Sequence, residues 1–261
     1  LYVRFVPDAI RHRLISVVRD WFPEEFLRQL RRMSWHGWGI SFGGPILDSF
    51  ADYSWSQEGE DQILRRLFGD KATGLYVDVG AHHPRRFSNT YLFYKRGWRG
   101  INIDAMPGSM QSFNKVRPHD INLEVGIAEQ KAKLDFYIFN EPALNGFQRD
   151  LSQERHVSES AYLIKDVVKV DVLPLHEVLD QYMPVGQSID FMSVDVEGLD
   201  LQVLKSNDWT RYRPTYVLAE ALGSSFHEVE KSEIGEFMLD KGYSLYAKCV
   251  NTVFFREASA R

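Results

Sequence analysis

Tyr76-Val77-Asp78-Val79-Gly80-Ala81 closes an apolar run that begins at Leu75. A short stretch of this composition, ended by a glycine, reads as a strand running into a tight turn. In an open α/β sheet, ligands sit beyond the carboxyl ends of the strands, near the point where strand order reverses. The turn after the first strand must let a ligand approach the backbone closely, and Gly80 permits that. Asp78 is expected to accept hydrogen bonds from amides of the loop, or to meet a ligand's ammonium through water. A plain strand–turn–helix glycine would leave the same trace.

Ile101-Asn102-Ile103-Asp104 lies about one βα unit further on, followed by Ala105. An acid at the end of a second strand can accept hydrogen bonds from both hydroxyls of a ribose, a device that dinucleotide dehydrogenases also use. Asp78, Gly80 and Asp104 at this spacing point to an adenosine-type ligand. They do not separate a nicotinamide dinucleotide from S-adenosylmethionine, but two further features favour the methyl donor. Gly80 is followed by Ala81-His82-His83-Pro84-Arg85-Arg86, without the G-x-G-x-x-G pattern. A pyrophosphate needs several close amides at a helix N-terminus, and this bulky stretch promises few. Ser193-Val194-Asp195-Val196-Glu197-Gly198 then ends a later apolar strand and sets two carboxylates where a substrate would meet the reactive end of the donor.

Outward from these motifs, strands and helices alternate. Helices are expected over residues 58–68, 89–96 (ended by Gly97), 109–116, 174–182, 199–204 and 227–241. Strands are expected over 75–79, 100–103, 121–127, 167–172, 189–196 and 216–220, with an inserted strand over 133–139. Residues 243–249 and 252–255 read as a hairpin turning at Val250 and Asn251. The alternation argues for a mostly parallel sheet with helices on both faces. Residues 142–165 are polar and show no clear period.

The first 33 residues differ from the rest. They are rich in arginine, and Ile10, Leu14, Val17, Val18 and Trp21 recur at helical spacing; Pro23 suits the start of a second helix over 24–33. Such a pair can pack on the core or on a second copy of the chain, giving a homo-oligomer. It can also form a basic amphipathic surface for peripheral contact with anionic lipid or a glycolipid. A glycine- and aromatic-rich linker follows over 34–56. The 261 residues thus divide into a helical extension and linker, 1–53, and an α/β domain, 54–261. A net charge of −5 provides no overall field for nucleic acid, and the single cysteine, Cys249, rules out an intrachain disulfide. One thiol, no apolar run of membrane-spanning length and no visible signal peptide fit a cytoplasmic location.

The chain resembles the FkbM family of methyltransferases. The residues that carry the resemblance are Ser56-Gln57-Glu58-Gly59-Glu60-Asp61, Val77 through Pro84, Phe87-Ser88-Asn89-Thr90, Gly97-Trp98-Arg99-Gly100, Asn102-Ile103-Asp104 and Asp195-Val196-Glu197-Gly198, in the family's order. The His-His-Pro stretch departs from the family's commoner Asn-containing loop. The resemblance implies a class I methyltransferase fold, an α/β, Rossmann-like, mostly parallel sheet with a C-terminal antiparallel hairpin, here with an N-terminal helical extension. It also implies S-adenosylmethionine as donor and a hydroxyl acceptor, often on a sugar of a polysaccharide, a glycolipid or a glycosylated metabolite.

The remaining candidates each have two readings. Gln57 and Glu58 close over the donor's methionine end, or Ser56 caps the next helix and the acids that follow favour its dipole. Of His82 and His83, adjacent and pointing apart, one faces the site or serves a structural role. Asn89 falls in a resembling motif. Glu124, at the end of the third strand, is expected to read the adenine amino group, or the backbone at Gly126 and Ile127 does so. Glu220 and His227 are candidates for the acceptor side. Asp195 is the first choice for the general base, with Glu197 beside it. Two apart on an extended segment, both would face one side and could hold Mg²⁺, Ca²⁺ or Mn²⁺. Lys169 and Asp171 alternate on a solvated strand face. A nicotinamide oxidoreductase is disfavoured by the missing glycines; a non-catalytic S-adenosylmethionine-binding partner in glycan assembly is the alternative from another class.

Overall fold

The computed structural model describes residues 52–147, 162–221 and 225–259. The helices expected over 1–33, most of the linker and much of the variable stretch 142–165 lie outside the described residues. The elements are α1 (Glu60–Phe68), β1 (Leu75–Val79), α2 (Tyr91–Lys95), β2 (Arg99–Asp104), α3 (Met110–Val116), β3 (Ile121–Glu124), β4 (Gly126–Ile127), β5 (Ala132–Phe139), β6 (Ile164–Leu173), α4 (Leu175–Tyr182), β7 (Phe191–Val194), α5 (Asp200–Lys205), β8 (Tyr216–Glu220), α6 (Phe226–Glu230), α7 (Glu233–Asp240), β9 (Tyr243–Cys249) and β10 (Thr252–Glu257).

The main sheet has the order β3-β2-β1-β7-β8-β10-β9. β1, β2, β3, β7 and β8 run parallel, and β10 is antiparallel to both β8 and β9. The hairpin therefore folds back into the sheet, with its second strand inserted beside β8. Strand order reverses between β1 and β7, so the crevice predicted by Gly80 falls at their shared carboxyl end.

All five residues of β1 are buried, and alternate side chains enter different cores. Leu75, Val77 and Val79 pack with Ile101, Ile103, Met192 and Val194 on one face. Tyr76 packs with Phe93, Trp98 and Phe191 on the other. Burial on both faces explains why these strands read as continuous apolar runs. Each fully buried side chain of this size contributes ~1.5–3 kcal/mol.

Three expectations change. The strand expected over 121–127 is divided: β3 stays in the main sheet, whereas β4 joins a separate three-stranded sheet of order β4-β6-β5. The inserted strand and the strand expected over 167–172 pair with each other in this second sheet, from Ala132↔Val172 to Phe139↔Ile164. Lys169 and Asp171 are exposed there and pair with Asp135 and Lys133 across the ladder, so that face is solvated as expected. The helix expected over 227–241 breaks in two at Ser232, whose hydroxyl accepts from the Gly235 amide and starts α7. Gly97 does close α2, at φ 100°. Among the described residues no helix is long and apolar enough to cross a membrane.

Candidate active site

A cleft of about 830 Å³ opens beyond the carboxyl ends of β1, β2 and β7, within the ~300–1,000 Å³ range of small-molecule sites. Its first wall is the β1 loop. Gly80 has φ 82°, and a Cβ there would overlap the carbonyl oxygen of Asp195. The glycine thus admits the β7 loop, a close approach by protein where a close approach by ligand was expected. The amides of Gly80 and Ala81 donate to Ile103 O at 2.9 and 3.0 Å, and that of His82 donates to Asp104 Oδ2 at 2.8 Å. Three successive loop amides are therefore engaged by the end of β2, leaving no amide array there for a pyrophosphate.

Asp104 is 8% exposed and lines the cleft. Its other oxygen, Oδ1, accepts from the Met106 amide at 2.8 Å. Burial pushes its carboxyl above the usual range, while the two amides pull it back. Each oxygen keeps further acceptor capacity. Ala105 and Gly126 also line this wall, with Met106, Phe136 and Phe147 around them.

Asp78 does not line the cleft. It sits behind it, accepting from Thr90 Oγ1 at 2.6 Å rather than from loop amides, and burial raises its pKa against the pull of nearby Arg117. Ala81 is also behind the wall, packed with Met110 and Phe113. Glu124 stands outside the cleft lining, its carboxylate accepting from the Gly108 amide at 2.8 Å. It holds the loop after β2, and Val125, Gly126 and Ile127 face the cleft instead.

His82 and His83 both line the cleft. His82 takes φ 53°, its Nε2 is buried without a partner, and burial followed by Arg86 lowers its pKa, keeping the ring neutral. His83 serves its own loop: Nδ1 accepts from the amides of Arg85 and Arg86 at 3.1 and 2.9 Å. Arg86 reaches Glu141 at 3.1 Å, linking the β1 loop to the segment after β5.

The second wall is acidic. Gln57, Glu58, Glu60, Asn89, Ser193, Asp195, Glu197 and Glu220 all line it. Glu58 accepts from the Asn251 amide at 2.7 Å and Glu60 from Thr252 Oγ1 at 2.8 Å, so the segment before α1 is tied to the β9–β10 turn. Helix α1 begins at Glu60 with Gly59, not Ser56, at its N-cap; Ser56 Oγ still accepts from the first-turn amide of Asp61 at 3.3 Å and donates to Asp61 Oδ1 at 3.0 Å. Asn89 Nδ2 donates to Ser193 Oγ at 3.0 Å. Burial pushes the Asp195 carboxyl well above the usual range, helped by Glu220, Asp200, Glu197 and Asp78. The Asp195 residue is nonetheless exposed to solvent, so water weakens both the effect of burial and the repulsion from the surrounding acids until a bound molecule excludes it. Asp200, 3% exposed, is raised to about 6, chiefly by burial.

Glu197 has φ 54°, so residues 195–197 are not extended and the two carboxylates are not set on one side by strand geometry. Among the described residues no group of three or more His, Cys, Asp or Glu side chains is arranged to hold a metal ion. His227 is exposed on α6 and does not line the cleft. Glu60, Asn251 and Thr252 were missed in the sequence. The first was within a recognised motif, but its acid was credited to the helix dipole; the others were read only as a turn and a strand end.

The Methyltransferase FkbM domain family matches residues 78–245. No curated protein matches the chain. Among solved structures, a TehB-like SAM-dependent methyltransferase from Corynebacterium glutamicum is 11% identical, with a TM-score of 0.37, over 80% of this chain and 90% of that one. The family match spans well over half of the chain, from Asp78 behind the first wall through Asp104, Asp195 and Glu220 to β9, and the chain belongs to the FkbM methyltransferase family, whose methyl donor is S-adenosylmethionine.

Proposed function

We propose that the chain is an O-methyltransferase acting on a sugar hydroxyl of a polysaccharide, a glycolipid or a glycosylated metabolite, with Asp195 as its general base. The observation that carries this reading is the asymmetry of the cleft: Asp104 on one wall, and Asp195 among Glu58, Glu60, Glu197 and Glu220 on the other.

The residues present fit the donor. Asp104 has acceptor capacity for ribose hydroxyls, and Ala105 and Gly126 lie beside it for the base. The buried, unpartnered Nε2 of His82 offers a polar contact. Gln57, Glu58, Asn89 and the acidic wall suit a ligand end bearing positive charge. When bound, S-adenosylmethionine supplies a methyl group on a positively charged sulfur. A sugar hydroxyl is a poor nucleophile at neutral pH, and a positioned base is typically worth about 10²–10⁴-fold in rate. Asp195 would take the proton that the acceptor hydroxyl loses on methylation, while the donor's sulfur–methyl bond would break and its sulfur leave as a neutral thioether. The surroundings that raise its pKa, burial first and then the neighbouring acids, make it a stronger base than an ordinary carboxylate. Glu220 and Glu197, in the same wall, accept hydrogen bonds from neighbouring hydroxyls. An acceptor carried on a lipid would suit the arginine-rich residues 1–33.

The test is incubation of the protein with methyl-labelled S-adenosylmethionine and carbohydrate and glycolipid extracts of the source cells. Alkali-stable label on a sugar supports an ether product. Alkali-labile label identifies a methyl ester, and donor binding without label identifies a non-catalytic partner; either outcome defeats the proposal.

A further inference from the structure

Arg117, at the end of α3, is completely buried and does not line the cleft. Its Nε donates to Asp120 at 2.9 Å, and its Nη2 donates to Tyr76 Oη and to Thr90 Oγ1, each at 2.8 Å. Nη1 reaches Ser88 Oγ at 3.4 Å. Asp120 is held in turn by Tyr76 Oη at 2.6 Å and by the Gly100 amide at 3.0 Å. Thr90 Oγ1 in turn donates a hydrogen bond to Asp78 Oδ2 at 2.6 Å.

A buried ion pair of this kind is weak evidence for stability, because well-packed apolar residues of similar volume often serve as well. What distinguishes this one is where it ends. Two of the three guanidinium nitrogens reach Ser88 and Thr90, the residues on either side of Asn89. Asn89 is the member of that trio that lines the cleft, and its amide bonds to Ser193 at the end of β7. The preceding residue, Phe87, holds a left-handed φ of 57°. For a bulky side chain that is an unusual conformation, which persists only where the surroundings fix it.

We propose that Arg117 is a positioning residue for donor binding: from behind the cleft it fixes Ser88 and Thr90, and thereby the place of Asn89 on the wall. The proposal rests on the reading of this cleft as the S-adenosylmethionine site. Thr90→Val removes the hydroxyl that joins Arg117 to Asp78 at nearly constant shape. Arg117→Lys keeps the charge but loses the planar fork.

The experiment is calorimetric titration of S-adenosylmethionine into the parent, Thr90→Val, Arg117→Lys, Asn89→Ala and the Thr90→Val/Asn89→Ala double variant, with thermal unfolding of each. Thr90→Val and Arg117→Lys are expected to weaken binding about tenfold, the scale of one lost hydrogen bond. In the Asn89→Ala background Thr90→Val is expected to weaken binding no further, because its effect passes through Asn89. A purely structural role would lower the melting temperature in both backgrounds and leave the affinity losses additive. Additive losses, or parent-like affinity in Thr90→Val and Arg117→Lys, overturn the proposal. A parent that fails to bind S-adenosylmethionine overturns the donor-site reading itself, and the proposal with it.

Discussion

The two walls of the cleft treat their carboxylates in opposite ways. On the β1–β2 wall, Asp104 takes two backbone amides, and Asp78 behind it takes the Thr90 hydroxyl and faces Arg117. On the β7–β8 wall, the acids surround one another: Asp195 is raised by Glu220, Asp200, Glu197 and Asp78 after burial itself. Burial raises the carboxyls on both walls, but hydrogen bonds and Arg117 pull Asp104 and Asp78 back, whereas neighbouring acids push Asp195 further up. A fold that separates the two on adjacent strand ends can bind at one and do proton chemistry at the other.

The sharpest way to break this comparison is Asp195→Asn. If the crowded wall supplies the base, the variant keeps donor affinity and loses at least about 10²-fold in turnover. The parent's pH profile adds a sign. A base must be ionised, and the Asp195 pKa is raised, so activity falls with falling pH at a higher value than the ~4 of an ordinary carboxylate. Steady-state rates across pH, beside calorimetry of the donor, check both. Turnover within a few-fold of the parent would make both walls mere binding surfaces.

Asp200→Asn tests burial beside that wall through stability. The Asp200 pKa in the folded protein is about 6, above its ordinary 3.8. The folded state therefore binds the proton more tightly, and the stability this contributes, present below about pH 4, is lost as pH rises to about 6. A shift of this size corresponds to about 3 kcal/mol. Asn carries no charge and can still accept from the Gly198 amide, which reaches Asp200 Oδ2 at 3.3 Å. Urea unfolding should give nearly equal stabilities at pH 4 and a more stable variant at pH 7, by up to about 3 kcal/mol. A variant less stable than the parent at pH 7 would show that the amide hydrogen bonds outweigh burial at Asp200.

The other wall yields a smaller effect. Asp104→Ala removes acceptors that the donor's ribose would use, and should weaken S-adenosylmethionine by about 1–3 kcal/mol. NAD should not bind parent or variant, because the Gly80, Ala81 and His82 amides are engaged by β2. Tighter binding of NAD than of the sulfonium in calorimetry would reverse the assignment of this wall.

The walls also differ in how far the sequence reveals them. The place of Asp104 in the cleft is legible because it follows from one strand period and one turn, all local in the chain. The place of Asp195 in the cleft is legible for the same reason, at the end of a buried strand. Glu58 and Glu60 meet Asn251 and Thr252 only because the hairpin inserts beside β8 and brings its turn to the segment before α1. No local pattern encodes that meeting. The division of 121–127 was hidden for a related reason: strand period and composition are alike in both sheets, and only pairing decides which sheet a residue joins. Glu124 then went to Gly108 and left the cleft to the residues after it. Glu197 was misjudged because a left-handed residue other than glycine has no reliable composition signal.

The smallest effect belongs to the place where the β1 loop meets the insert. Arg86 and Glu141 are 46% and 36% exposed, so their pair is worth only about 0.2–1 kcal/mol. The Arg86 hydrogen bond holds the Glu141 carboxyl below its usual range, so the pair stays charged across the neutral region. Glu141 also accepts from the Ala143 amide at 3.3 Å, and a glutamine oxygen can keep that bond. Glu141→Gln therefore removes the charge on the strap while retaining the local turn. If the pair helps to close the cleft, release of S-adenosylhomocysteine in stopped-flow should quicken by no more than about fivefold at low salt. Screening should shrink the difference as ionic strength rises, because the Debye length falls from about 30 Å at 0.01 M to about 10 Å at 0.1 M. Equal release rates at low salt would leave the pair as surface decoration, and the walls would differ in chemistry alone rather than in chemistry and closure.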